Sequence, residues 1–386
     1  MREAMDKRPL ALLVTRNFPP LLGGMEKVNQ HLLAALAANW RVALCGPRGC
    51  RMFAPMGALV RETAIRPLPA FLSLTTVKAL ALTLWRRPQL VVAGSGLTAP
   101  VAWLAARVVG AKAAVYLHGL DIIAPNRIYQ LLWLPFIRGC DLVLVNSANT
   151  AKLAKEHGVA AERIAILHPG TEIPEIDPTA GMKFRSIHGL EQRPVLLSVG
   201  RLTRRKGLAE FVTQALPRIA ARRSDLLLMV IGDEAVDALH GANGSERQRI
   251  LQAAADAGVE HNLRFIGRLE EDALRDAYQG ADCHVFPVLD LPGDVEGFGM
   301  VALESAAHGL PTVAFDVGGV GDAVAGDSSG LLVEVGNYQM FSVAVDAVLD
   351  QTGGGMDAKS CREFAKDKSW DRFGERLRQL VGAGHG

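Results

Sequence analysis

Short apolar runs alternate along this chain with longer stretches in which apolar residues recur every three or four positions. The runs at 10–15, 41–45, 90–93, 113–117 and 142–145 are rich in Leu, Val and Ala and hold few polar residues. Such runs read as parallel strands buried on both faces. After the first of them, Val28, Leu32 and Leu36 fall on one face of a helix. A strand, a glycine turn at Gly23-Gly24 and a helix make the entry unit of a doubly wound fold, where ligands bind outside the carboxyl ends of the strands. A second series follows at 195–199, 226–231, 263–266, 283–286, 312–315 and 331–333, again with helical stretches between. The alternation predicts an α/β protein of two doubly wound parallel domains.

Residues 173–194 lose this periodicity and gather Pro174, Pro178, Gly181 and Gly189, so the interdomain linker is expected there. That leaves an N-terminal domain over 1–172, a C-terminal domain over 195–366 and a last helix over 367–386, which can pack back on the N-terminal domain. A length of 386 residues suits two cores better than one.

Charge changes the picture more than composition does. Through Glu172 the chain carries 20 Lys/Arg against 9 Asp/Glu, a net of +11, whereas the remainder carries 22 against 31, a net of −9. A basic first half implies an anionic partner. Within it, the stretch 71–87 sets Leu74, Val77, Ala81, Leu84 and Trp85 at helical spacing. Arg51, Arg61, Arg66, Lys78, Arg86 and Arg87 surround them, against the single acid Glu62. Two readings compete: a core-facing helix, or a basic amphipathic helix lying on an anionic bilayer. Nucleic acid is not expected, since the stretch has few aromatics for stacking and no recognisable binding module. No uninterrupted apolar run reaches the ~18 residues of a spanning helix. The run from Leu10 is too short for a signal peptide and has no cleavage site after it. Five scattered cysteines, without metal spacing, suggest the reduced thiols of a cytoplasmic protein.

The candidate chemistry gathers at Glu296-Gly-Phe-Gly-Met-Val-Ala-Leu-Glu304, ahead of Gly309 and Pro311. A loop carrying Glu296 is expected, then a helix from about 299 to 308 with Glu304 inside it. The glycines admit close approach to backbone amides, and the first helical turn favours negative charge. One segment thus offers an anion site flanked by two carboxylates, which suits a sugar nucleotide, although a decorated amphipathic helix would look the same locally. A glycosidase would set its two carboxylates about 5–9.5 Å apart across one bond. Eight residues of helix separate Glu296 and Glu304 by roughly 12 Å along the axis and turn them ~80° apart, as grips on two ends of a long ligand. In the loop after the strand at 195–199, Arg201 can fork onto phosphate and Lys206 adds a point charge. Arg204 and Arg205 read as solvated neighbours, and the spacing is not that of a triphosphatase loop. His118 follows the strand at 113–117, on the ligand side of the sheet, with Asp121 placed to orient its imidazole or cap the next helix.

These elements, in this order and over nearly the whole chain, resemble the family-4 retaining glycosyltransferases. The resemblance rests on Gly23-Gly24, His118-Gly119, Val199-Gly-Arg-Leu with Lys206-Gly207, Ile231-Gly-Asp233, Phe265-Ile-Gly-Arg268 and, above all, Glu296-Gly-Phe-Gly with Glu304 and Gly309-Leu-Pro311. It implies the GT-B arrangement, two facing Rossmann-like domains with a cleft between them. The C-terminal domain would hold a nucleoside-diphosphate sugar, with Arg201 and Lys206 on the diphosphate and Glu296 on the sugar hydroxyls. The backbone at Phe298, Gly299 and Met300 would stand behind Glu296, Glu304 would hold the ribose, and Arg268 would fall beside the base. Gly23 and Gly24 would approach the diphosphate and acceptor from the N-terminal domain, with His118 beside the sugar ring.

Retention in this family is ascribed to front-face attack, with the leaving phosphate taking the acceptor's proton, so no covalent nucleophile is implied. No cofactor and no metal are expected: Asp290 and Asp294 lie close in sequence, but two cations already meet the diphosphate and no His/Asp cluster accompanies them. The Asp294-Val-Glu296 lead-in resembles mannosyl-transferring members and favours GDP-mannose over UDP-sugars. The protein expected is a metal-independent hexosyltransferase of the cytoplasm, or of the inner face of its membrane. It would act on a glycan or lipid-linked acceptor in envelope polysaccharide or glycolipid synthesis. The alternatives are a nucleotide-sugar epimerase on the same scaffold and a non-catalytic protein that binds nucleotide sugar or membrane. Intact Glu296, Glu304, Arg201 and Lys206 argue against the latter.

Overall fold

The computed structural model describes residues 8–124, 126–234, 245–351 and 356–382. The ends of the expected N-terminal domain and C-terminal helix, 1–7 and 383–386, lie outside the described residues. The chain forms two compact units, one of Met1–Gly170 with Trp370–Gly386 and one of Thr171–Ser369.

In the first unit, β1 (Leu10–Val14), β2 (Arg41–Pro47), β3 (Leu59–Thr63), β4 (Leu90–Ala93), β5 (Lys112–Leu117), β6 (Leu142–Val145) and β7 (Ile164–Ile166) build a parallel sheet. Their order is β3-β2-β1-β4-β5-β6-β7. The chain reverses direction across the sheet between β1 and β4, which marks the ligand crevice at their carboxyl ends. The strands found by periodicity are those covered by helices on both faces. The two it missed, β3 and β7, are the sheet's edges. β3 interrupts its apolar pattern with Arg61 and Glu62, and β7 is three residues long, so neither carries the run of a doubly covered strand.

The second unit repeats the plan with β8 (Val195–Val199), β9 (Leu227–Ile231), β10 (Leu263–Gly267), β11 (Cys283–Phe286), β12 (Thr312–Phe315) and β13 (Gly330–Val333). The order is β10-β9-β8-β11-β12-β13, parallel throughout. Here the switch falls between β8 and β11, the strands that feed the two candidate loops.

The expected linker is not one. Residues 173–194 belong to the second unit, where the helix Ala180–Ile187 packs on the helix Glu271–Gly280. Its glycine is a packing residue, since a Cβ on Gly181 would lie 2.4 Å from the Gln279 carbonyl oxygen. Ala180, Phe184 and Leu190 are the buried apolar residues of the segment, too few to show a period. The chain crosses between units at Gly170–Thr171 and again at Ser369–Trp370. The last helix, Trp370–Gly382, sits in the first unit against the helix Gly24–Ala37. Its Trp370 ring stacks on His31 with centroids 3.8 Å apart and planes 1° from parallel.

The helix over 71–87 begins earlier, at Leu68, and ends at Arg86. Phe71, Thr75, Ala79 and Leu82 face inward. Leu74, Val77, Leu84 and Trp85 face solvent, 51%, 66%, 59% and 62% exposed, and Ala81 lies among them. Lys78 turns inward, donating to the Glu62 carbonyl and the Thr63 hydroxyl. By length and composition this helix is apolar enough to cross a membrane. Its inner face instead packs on β2, β3 and the helix Ala99–Val109, which makes it a surface helix with an apolar outer stripe.

Candidate functional site

Glycines close three adjacent strands of the second unit. Gly200 and Gly232 follow β8 and β9, Gly267 ends β10, and their φ angles are 138°, 138° and 78°. A Cβ on Gly232 would lie 1.9 Å from the Gly200 carbonyl oxygen, so only glycine lets these strand ends draw together. The result is bare backbone at the sheet's carboxyl edge. Arg201 and Arg268 follow directly, both exposed, and neither makes a hydrogen bond or ion pair with another described residue.

The β8 loop then tightens into the turn Arg204–Lys206, closed by Gly207 at φ 69°. A Cβ on Gly207 would lie 2.0 Å from the Pro287 carbonyl oxygen, so the turn seats directly on the backbone leaving β11. Seated there, Lys206 Nζ lies 4.5 Å from the centre of the Phe286 ring and donates to Glu296 Oε2 at 2.8 Å. Both side chains are nearly enclosed, 16% and 13% exposed. Burial pushes the Glu296 carboxyl up, but Lys206, Arg205 and Arg201 together bring it below its ordinary value. Burial also depresses the Lys206 ammonium, with Glu296 opposing and the two arginines adding to the fall. Three cations around one carboxylate account for the direction at Glu296, and burial leads the fall at Lys206.

Arg205 is not the solvated residue its sequence suggests, whereas Arg204 is exposed. The Arg205 guanidinium is 14% exposed; its Nη1 donates to Asp294 Oδ1 at 2.5 Å and to the Val295 carbonyl at 3.3 Å. Its Nε lies 3.4 Å from Glu296 Oε2. A basic doublet at 205–206 facing an acid-x-acid at 294–296 was the available signal. A second unread signal is Gly318-Gly319 after β12. The Gly319 amide donates to the Glu296 carbonyl at 2.8 Å, and a Cβ there would lie 2.0 Å from the Gly297 carbonyl oxygen. This turn cradles the Glu296 loop from below.

The helix beyond runs Met300–Ala307, with Gly299 and His308 as its caps. Gly299 has φ 96°, and a Cβ on it would lie 2.9 Å from the Phe286 ring, so Phe286 sits between this cap and Lys206. Phe298 is a core side chain, 3% exposed, so its contribution to a ligand is its backbone. Met300 is half-buried at the start of the helix and Glu304 half-buried one turn on. Beside Glu304, burial and that carboxylate both raise the Tyr278 phenol well above its ordinary value.

In the first unit the residues group at the carboxyl ends of β1, β4 and β5. His118 Nε2 lies 2.9 Å from the Gly94 carbonyl, which requires hydrogen on Nε2 and leaves Nδ1 as the acceptor of the neutral ring. Asp121 does not orient that ring. Its two oxygens accept from the backbone amides of His118 and Gly96, at 2.8 and 2.9 Å, and so fix the loop instead. Gly23 and Gly24 open the helix Gly24–Ala37 and are exposed. Just behind them is a polar group the sequence did not reveal. Glu26, 8% exposed, accepts from Asn17 at 2.8 Å, and Asn29 donates to Thr15, Asn17 and Gly94. Polar residues at 26 and 29, on the face that buries Leu33 and Leu36, were the sign.

The expected residues thus form one set in each unit, each at the carboxyl ends of its own strands. Among the described residues, no group of three or more His, Cys, Asp or Glu could hold a metal ion.

Comparison with known proteins relates the whole chain to a family. The family model described as glycosyl transferases group 1 matches residues 182–368, and that described as Glycosyltransferase Family 4 matches 22–173. A GDP-mannose-dependent alpha-(1-6)-phosphatidylinositol monomannoside mannosyltransferase of Mycobacterium tuberculosis is 27% identical over 400 residues, covering 96% of this chain and 97% of that protein. A D-inositol 3-phosphate glycosyltransferase of Geodermatophilus obscurus is 31% identical over 237 residues, covering 60% of this chain and 50% of that protein. Among solved structures, Anabaena Alr3699/HepE in complex with UDP matches with a TM-score of 0.78, at 18% identity, over 97% of this chain and 99% of that one. The shared fold is that of the GT-B glycosyltransferases.

Proposed function

The chain belongs to the family-4 glycosyltransferases, and from that premise we propose that it moves mannose from GDP-mannose to a hydroxyl of a lipid-linked acceptor at an anionic membrane surface. It is a hexosyltransferase that draws on a nucleotide sugar. The observation that carries the site assignment is the Lys206–Glu296 pair, a cation for the diphosphate joined to a carboxylate for the sugar hydroxyls, with Arg201 exposed on the same loop.

In the reaction the bond from the sugar's anomeric carbon to the diphosphate oxygen breaks, and a bond from that carbon to the acceptor oxygen forms. The acceptor's proton passes to the departing phosphate. Arg201 and Lys206 meet the negative charge as it grows on the leaving group, the stage at which a fixed cation contributes most. On this reading neither cofactor nor metal ion is needed. Glu296 holds the sugar hydroxyls, Glu304 the ribose and Arg268 the edge of the base. Gly23 and Gly24 serve the diphosphate and the acceptor, and His118 serves the sugar ring. Support for GDP over UDP comes from the Asp294-Val-Glu296 lead-in and from full-length similarity to GDP-mannose-dependent relatives, since the UDP-bound neighbour shares only the fold.

The membrane assignment rests on the helix Leu68–Arg86. Its outer stripe is apolar, with Arg66 before it and Arg86 and Arg87 at its end, and the Arg86 guanidinium lies 3.5 Å over the Trp85 ring. An apolar strip bracketed by arginines is the pattern of a helix lying in the headgroup region.

The test supplies the protein with anionic vesicles carrying phosphatidylinositol or polyprenyl-phosphate glycans, together with GDP-mannose, UDP-glucose or UDP-galactose, and follows the lipids by mass. One added hexose from GDP-mannose is the expected product. Transfer from a UDP-sugar alone would overturn the donor assignment, and an epimerised nucleotide sugar formed without acceptor would overturn the reaction.

A further inference from the structure

We propose that Arg205 is a positioning residue which, anchored by its ion pair with Asp294, holds Glu296 in place while Lys206 turns to the donor's diphosphate. This rests on the donor reading above. Lys206 is asked to serve two anions at once: it donates to Glu296 and is also the buried cation of the loop assigned to phosphate. A second cation is needed if Glu296 is to keep its geometry as Lys206 shifts.

Arg205 is built for that task. Its carbonyl accepts from the Leu289 amide at 2.8 Å, which ties its backbone to the chain leaving β11. Its Nη1 bridges to Asp294 and Val295, on the segment that leads to Glu296. Asp294 is itself held, its amide donating to the Leu291 carbonyl at 3.0 Å. The guanidinium therefore straps the loop of Lys206 to the loop of Glu296. One donor is left over: Nε is buried without a hydrogen-bond partner and lies 3.4 Å from Glu296 Oε2. A buried donor without a partner is unfavourable and rare. Closing that gap to the usual ~2.9 Å would satisfy it as Lys206 withdraws. Only arginine's rigid fork reaches both carboxylates, so lysine is no substitute here.

The experiment compares the wild type with Arg205→Gln, Arg205→Lys and Asp294→Asn. Turnover of the donor gives kcat and KM, calorimetry gives the Kd of GDP, and carbon-detected NMR follows the titration of the Glu296 carboxyl. Arg205→Gln should lower kcat by roughly tenfold or more, the scale of one lost charge-assisted hydrogen bond. GDP, which lacks the sugar, should bind within about threefold of wild type on this account. The Glu296 titration and the acid limb of kcat should both move to higher pH. Asp294→Asn should act in the same direction, and combined with Arg205→Gln it should add little. Arg205→Lys keeps the charge without the fork, so it should lower kcat while GDP affinity holds. That variant decides the matter if the glutamine form does not fold. An unmoved Glu296 titration, an unchanged kcat in Arg205→Lys, or a loss of GDP affinity as large as the loss of kcat would each overturn the proposal. The NMR arm needs no substrate. If no nucleotide sugar turns over, the donor reading fails on that ground, while the titration still reports on Arg205.

Discussion

Glu296 shows how a nearly enclosed carboxylate is kept ionised. Burial alone would raise its pKa, and the cations around it more than reverse the effect. The sign for stability follows from this. A carboxyl whose folded pKa lies below its unfolded value contributes fully above about pH 4.5 and loses that contribution as the pH falls through the folded value. Lys206→Met leaves Glu296 enclosed without its direct partner, and breaking such a pair costs about 3 kcal/mol. Denaturant titration at pH 7 should show that loss. Equal stability of the two proteins would mean that the pair adds nothing. At this scale the sequence revealed the residues that sit in spaced motifs, such as Lys206 and Glu296. It hid Arg205, because a basic run looks solvated when its acid partner stands 89 positions away. It likewise could not show that Asp121 grips two backbone amides instead of a ring, since the Gly96 amide comes from another strand's loop.

Elements were most legible where both faces are covered. β4, β6, β8, β11 and β12 lie where apolar runs place them. Of the edge strands, β10 and β13 kept an apolar run that could be read, whereas β3 is broken by Arg61 and Glu62 and β7 has three residues, and both lost the signal. The segment before β8 was misread because its helix docks through few apolar residues and a glycine, so packing and not periodicity holds it. The C-terminal helix could be recognised as a helix from its sequence, but its place on the helix Gly24–Ala37 depends on tertiary contacts. That docking leads to a pH prediction. His31, pressed on Trp370, has its pKa lowered to about 4 by burial, with Lys27 adding to the fall. Below the unfolded value near 6.5 the unfolded chain binds a proton that the folded one refuses, so stability should decline from about pH 6.5 to about 4. His31→Phe keeps a ring for the stack and removes the titration. Its Tm should therefore fall less steeply over that interval, and a slope equal to wild type would show that His31 plays no part in it.

Over the whole molecule, the basic first half and the acidic second half now have separate readings. The site in the second unit uses its cations locally, paired with Asp294 and Glu296, while the first half carries the arginines that bracket an apolar stripe. That stripe was visible in the sequence as a helical face. Its outward orientation was not, because Phe71, Thr75 and Ala79 offer an equally good inner face. Vesicles of phosphatidylglycerol should sediment the protein at low salt and release it as salt rises, since each basic residue near the surface adds about 1 kcal/mol and is screened within a Debye length. Trp85→Glu should weaken that binding by roughly tenfold or more by setting a charge in the apolar stripe. Failure of the wild type to bind at low salt would remove the membrane from the account.

The enzyme as a whole stands on the claim that Glu296 grips the transferred sugar. The most direct measurement is the rate of hexose transfer by Glu296→Gln under saturating donor, beside its affinity for GDP. The account predicts a fall of roughly a hundredfold or more in kcat, the scale seen when one stabilising group in a preorganised site is removed, with GDP bound as tightly as by the wild type. Transfer at the wild-type rate would contradict it.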